Sequence, residues 1–171
     1  MDRTDPGLAS SEKTMMLEFL DYHRATFVQK VSGLTAADLN RTAVPSSVLT
    51  LGGLLKHLAH VEDSWMTHRF AGRPIPEPWA SAPFDDDEDW DFHSATDDSP
   101  EDLLALYGTA CDRSRQAVCD APFDAESVEF DRGSTERFTL RWIVLHLIEE
   151  TARHNGHADL LREAIDGATG E

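Results

Sequence analysis

Between Thr139 and Ile165 the chain reads TLRWIVLHLIEETARHNGHADLLREAI, one long helical repeat whose apolar stripe is broken by Glu150 and His154, one turn apart. At about 100° per residue, Leu140, Ile143, Val144, Leu147, Thr151, Ala158, Leu161 and Ile165 share one side, and Glu150 and His154 project within about 60° of its centre. Glu149 and Arg153 point to water. An unpaired buried carboxylate costs several kcal/mol or is forced to protonate, so the two inward polar groups need partners. A carboxylate and an imidazole at i and i+4 suit a shared cation, with a third ligand drawn from another helix.

Three other segments have helical period, and none alternates convincingly as a strand would. The first starts near Ser11 and carries Met16, Leu20, Phe27 and Val31 before Gly33 stops it. A short helical turn, LTAADL, follows. The second begins at an N-cap Thr50, buries Leu51, Leu54, Leu55, Leu58, Val61 and Trp65 on one face, and ends near Gly72. The third starts at Ser99-Pro100-Glu101-Asp102, an N-cap, a proline at the first helical position and two acids in the first turn, and buries Leu103, Leu106, Tyr107, Ala110 and Val118. Gly167 stops the last. Four long helices with one long crossover connection predict an all-α four-helix bundle.

The connections differ in character. Residues 73–98 mix prolines, aromatics and acids without sustained period; Trp79, Phe84, Trp90 and Phe92 give this loop enough apolar surface to dock over a cleft or a partner subunit, and Asp85 to Asp89 read as a solvated run. In the connection from Pro122 to Glu136, Val128 to Phe130 is open to an extended conformation. Residues 1–10 are expected to be a flexible start to a single domain spanning 1–171, a length suited to one buried core.

Composition narrows the partners. Fifteen Lys and Arg against 32 Asp and Glu, formally −17, repel phosphate backbones and anionic membranes, so no nucleic acid and no membrane surface is expected. With no apolar leader and no run of about 18 apolar residues, the expectation is a soluble, cytoplasmic protein. Cys111 and Cys119 fall eight residues apart on one helix, roughly 12 Å, beyond disulfide reach. They read as reduced packing residues.

Eight histidines occur. On the second helix, His57 lies at the edge of the apolar face beside Leu54 and Val61; His60 points nearly opposite; His68 lies near the helix end. On the last helix His146, Glu150, His154 and His157 form one polar seam. Mutual pairing would satisfy Glu150 and His154 but leaves His57 unexplained, whereas a cation accounts for all three, as two imidazoles and one carboxylate make a ligand shell with open positions. Zinc is the first expectation, with nickel, iron or manganese compatible. Asp159 and Arg162 read as a surface i,i+3 pair, with Arg162 a candidate anchor for a substrate carboxylate.

Three segments, LGGLLKHLAHVEDSW around His57, EETARHNGHADLLREAIDG near the C-terminus and the GLTAADL turn, resemble the DinB-like metal-binding helical bundle family over nearly the whole chain. The resemblance implies a four-helix bundle holding a divalent cation through His57, Glu150 and His154. Many relatives have histidine where Glu150 stands, and the carboxylate version is similar to the branch with mycothiol-dependent maleylpyruvate isomerase and the related bacillithiol transferases. The implied function is a metal-dependent thiol S-transferase or isomerase, in which a low-molecular-weight thiol cosubstrate such as mycothiol attacks a small electrophile. His157 is then a candidate for proton transfer or substrate orientation. A metal-dependent hydrolase, or a non-enzymatic metal-binding stress-response module, are the alternative readings. A homodimer is the expected assembly.

Overall fold

The computed structural model describes residues 2–169, and its architecture is an all-α, DinB-like bundle. Helix α1 (Glu12–Val31) is capped by Ser11, whose side chain accepts from the Thr14 N–H, and Gly33 turns the chain away at φ +76°. The turn α2 (Ala36–Leu39) has a reciprocal capping box between Thr35 and Asp38. Helix α3 (Leu51–Glu62) starts at Thr50 and continues as a π-helical segment, Asp63–Phe70. Helix α5 (Pro100–Val118) starts at Ser99, and α6 (Leu140–Asp166) runs from Thr139 to a left-handed Gly167. Each long helix begins at a side-chain cap because its first N–H groups lack intrahelical acceptors.

Two connections carry more structure than the helical pattern shows. Residues 126–139 contain a short antiparallel hairpin, β1 (Glu126–Phe130) and β2 (Arg137–Thr139), with a register shift between the Glu126 and Phe130 pairs. Only Ser127 of β1 is buried, so no alternating apolar pattern announces the strand. The 73–98 connection is docked, with Trp79 buried and Phe84, Trp90 and Phe92 packed on the core, and it contains a one-turn helix, α4 (Trp90–His93), followed by a 3-10 turn. Trp79 Nε1 donates to buried Asp63 at 2.9 Å, and Lys56 Nζ to Asp98 at 2.5 Å. These bonds pin the connection to α3 and to its π-helical continuation.

Two apolar clusters fill the interior. One gathers Leu20, Met66, Phe70, Leu140, Ile143, Val144 and Leu147; the other gathers Phe27, Leu54, Leu58, Leu103, Tyr107, Ala158 and Leu161. Between them along the helices lies a polar layer of buried Arg24, Glu62, Ser114, Thr151, His154 and Asn155. Arg24 grips Glu62 with two bonds of 2.6 Å, and Ser114 Oγ donates to the same carboxylate at 2.6 Å. Two charges removed from water are tolerable here because their donors and acceptors are matched. On the far side, α6 carries Glu150 and His154 at this level.

Both cysteines are free thiols; burial pushes Cys111 up to about 12, and Cys119 is exposed. Among the described residues no helix is long and apolar enough to cross a membrane.

Candidate metal centre

His57 is half-buried between buried Lys56 and Leu58 on α3, and its ring faces α6. There its Nε2 lies 3.3 Å from Glu150 Oε1, and the same oxygen lies 3.1 Å from His154 Nε2. One ligand atom from each of the three residues falls within 4.8 Å of the others. Two nitrogens and one oxygen at these separations fit a cation bonded at roughly 2.0–2.2 Å after small side-chain adjustments. The donor set leaves coordination positions for a further ligand.

The surroundings polarise this cluster. The Glu150 carboxyl is held well below the usual carboxylate range, chiefly by its hydrogen bond with His154 and then by that with His57. Burial lowers the pKa of His57, but its hydrogen bonds to Asp91 and Glu150 outweigh this and raise the ring to about 9 in the metal-free protein. Asp91, buried on α4, places Oδ2 2.9 Å from His57 Nδ1 and 3.2 Å from His60 Nδ1. Phe92 stacks on the His57 ring at 4.5 Å.

His157 sits at the other end of the cluster, Nδ1 3.2 Å from His154 Nδ1. Burial, with His154 and Arg153 nearby, lowers its pKa. Since His154 offers Nε2 to Glu150, its Nδ1 edge faces away from the shared oxygen, and His157 touches that edge. Arg162 lies elsewhere: it donates to Asp166 and to the carbonyl oxygens of Lys30 and Ser32 at the end of α1. The expected Asp159–Arg162 pair is replaced by Lys30–Asp159 and Arg162–Asp166 pairs, because α1 ends beside this face of α6.

His60 departs from its expected position in solvent. The docked connection covers it, with Phe84 stacked at 4.6 Å and Trp79 at 5.0 Å. Trp65, read as core, is half-buried in a surface cluster with Phe138, Trp142 and His146. His68 contacts the Arg73 carbonyl, away from the cluster. Asp91 is the residue that sequence reasoning missed, and Phe92, read there as docking surface, is the ring that stacks on His57. The signal for Asp91 was an acid set between two aromatics in WDFH, a context that favours burial over the solvated run just before it.

A cavity of about 490 Å³ shares Phe92 as a wall, with Asn40, Thr42, Thr50, Asp89 and His93 contributing polar groups. It opens beside the ring that covers His57.

Residues 15–167 match the family described as mycothiol-S-transferase. No curated protein matches the chain. A solved structure described as the conserved protein of locus from Enterococcus faecalis is similar at 17% identity and a TM-score of 0.71, covering 94% of this chain and 100% of that one. At that identity the likeness is one of fold.

Proposed function

Because the chain belongs to the mycothiol-S-transferase family, we propose that it joins the sulfur of a mycothiol-type thiol to a small electrophile at a divalent cation held by His57, Glu150 and His154. The observation that carries this reading is the single Glu150 oxygen set between imidazoles from two different helices. When bound, a dication there lowers the pKa of a coordinating thiol from about 8.5 into the neutral range.

The protein's own residues supply position and polarity. His57 and His154 present Nε2, Glu150 presents Oε1, and the three negative or neutral ligands leave net positive charge for an anionic sulfur. The sulfur forms a bond to an electrophilic carbon as that carbon's bond to its leaving group breaks; the leaving group departs with the bonding electron pair, and the thiol proton goes to solvent. His157 meets the Nδ1 edge of His154 and is placed there to orient that ring or to exchange a proton with it. Arg162 donates to Asp166 and to the carbonyl oxygens at the end of α1, which engage its guanidinium in the protein itself. The cavity beside Phe92 combines apolar walls from Val48, Leu49 and Phe92 with hydroxyl, amide and carboxylate groups, and has room for the body of such a thiol. Zinc suits the donor set.

The test is elemental analysis of the purified protein, then turnover of an electrophile with and without thiol in wild type and His57→Ala. Expected are one equivalent of metal, thiol-dependent turnover, and loss of both in a variant that still folds. Thiol-independent turnover would favour hydrolysis by the same centre, and undiminished activity in His57→Ala would overturn the proposal.

A further inference from the structure

We infer that Asp91 is a positioning residue for the metal centre: its carboxylate holds His57 with the proton on Nδ1, so that the Nε2 lone pair faces the point between Glu150 and His154. The inference rests on the reading of that cluster as a cation site.

The geometry supporting it is specific. Asp91 Oδ2 accepts from His57 Nδ1 at 2.9 Å, while Oδ1 lies 3.1 Å from the Phe92 N–H, so the carboxylate plane is fixed at both oxygens. Phe92, the next residue, stacks on the imidazole at 25° and blocks ring rotation. Backbone and ring therefore act on His57 from one short turn. A free imidazole favours the proton on Nε2, the atom that must here be a ligand; an acceptor at Nδ1 reverses that preference and makes the ring a stronger donor.

The turn that carries Asp91 is held firmly enough to do this. Phe92 packs so close to Gly53 that a Cβ there would stand 3.2 Å from Phe92 Cδ1 and 3.3 Å from its carbonyl oxygen. Lys56 lies over the Trp90 ring at 4.7 Å and reaches Asp98 and the Ser94 carbonyl. Asp91 is 3% exposed, and its Oδ2 lies within hydrogen-bond distance of both His57 Nδ1 and His60 Nδ1. His60 shares the carboxylate but belongs to a different wall, between Phe84 and Trp79, and so provides a control.

The test uses the full chain. Cobalt(II) is titrated into metal-free wild type, Asp91→Asn and His60→Ala, reading Kd and the visible d–d bands, and the zinc-loaded wild type is examined by nitrogen-15 NMR of its histidines. Asparagine keeps the size of the side chain and removes the charge. Expected are a roughly 10–100-fold weaker Kd and shifted bands in Asp91→Asn, as for other outer hydrogen-bond partners of metal-bound histidines, with His60→Ala close to wild type. Zinc-loaded His57 should bear a proton on Nδ1 and the metal on Nε2. An unchanged Kd in Asp91→Asn, an equal loss in His60→Ala, or metal on His57 Nδ1 would each overturn the inference alone. The NMR result decides the matter even if Asp91→Asn does not fold. A wild type that binds no cobalt would overturn the cation reading itself, and this inference with it.

Discussion

His57 Nε2 and Glu150 Oε1 stand 3.3 Å apart although 93 residues separate them in the chain. The contact joins α3 to α6 at the polar layer between the two apolar clusters, where a carboxylate without partners would be costly. The imidazoles satisfy it, and in the proposed cation site the same atoms would be the ligands.

Removing the carboxylate should therefore separate binding from folding. Glu150→Ala is expected to fold, since the residue lies at the edge of the core, and to lose cation affinity by more than the roughly 10–100-fold typical of an outer partner. Zinc content after dialysis and a circular dichroism melt check this; stoichiometric zinc in the variant would contradict it.

The metal-free protein should lose stability as pH rises from neutrality. The His57 pKa is raised to about 9 from an ordinary 6.5, by Asp91 and Glu150 acting against burial, so its contribution is complete below about pH 6.5 and is lost as pH passes through 9. Asp91 and Glu150 shift the other way, so their contribution is present above their ordinary pKa values and is lost on acidification. His60 and His154 face the same carboxylates. Urea midpoints between pH 6 and 10, with chelator, should fall for wild type and stay flatter for His57→Ala. Parallel curves would rule this out.

Glycine 53 should be worth more to the site than to the helix. An alanine inside a helix normally stabilises by about 0.5–1 kcal/mol relative to glycine, but a Cβ here meets Thr50 Oγ1 at 3.0 Å and the Phe92 carbonyl at 3.3 Å. The carbonyl yields only if α4 moves. Gly53→Ala should weaken cobalt binding, with little or no gain in stability. Gly108→Ala, where a Cβ meets nothing within 4 Å beyond its own stretch of helix, should gain that stability and leave binding unchanged. Equal cobalt affinities would show that α4 does not move.

The Arg24–Glu62 pair should be costly to break and cheap to replace. Glu62→Ala leaves a buried guanidinium with its strongest partner gone, and a loss of about 3–5 kcal/mol is expected. The double variant Arg24→Met, Glu62→Leu should recover most of it. Denaturant midpoints decide between this and a pair that contributes little.

Much of the bundle and part of the centre was legible before any tertiary contact was known. Ser11, Thr50, Ser99 and Thr139 start helices because a side-chain oxygen beside free N–H groups is a local signal, and Gly167 ends one because a left-handed residue is needed there. Helical period likewise put Glu150 and His154 on the inward side of α6, and His57 on the edge of α3. Both facts depend only on residues a few positions apart.

What the sequence by itself determined, then, was which polar groups would have to find partners inside an all-α protein. Tertiary structure alone decided which partners they found. Asp91 reaches His57 across 34 residues of chain through an irregular connection with no period to project, and Arg162 went to the end of α1 because that carbonyl-rich terminus lay alongside. Periodicity specifies the face on which a side chain leaves its helix; what stands opposite that face depends on how the helices and connections pack, and is written in no short window of the sequence.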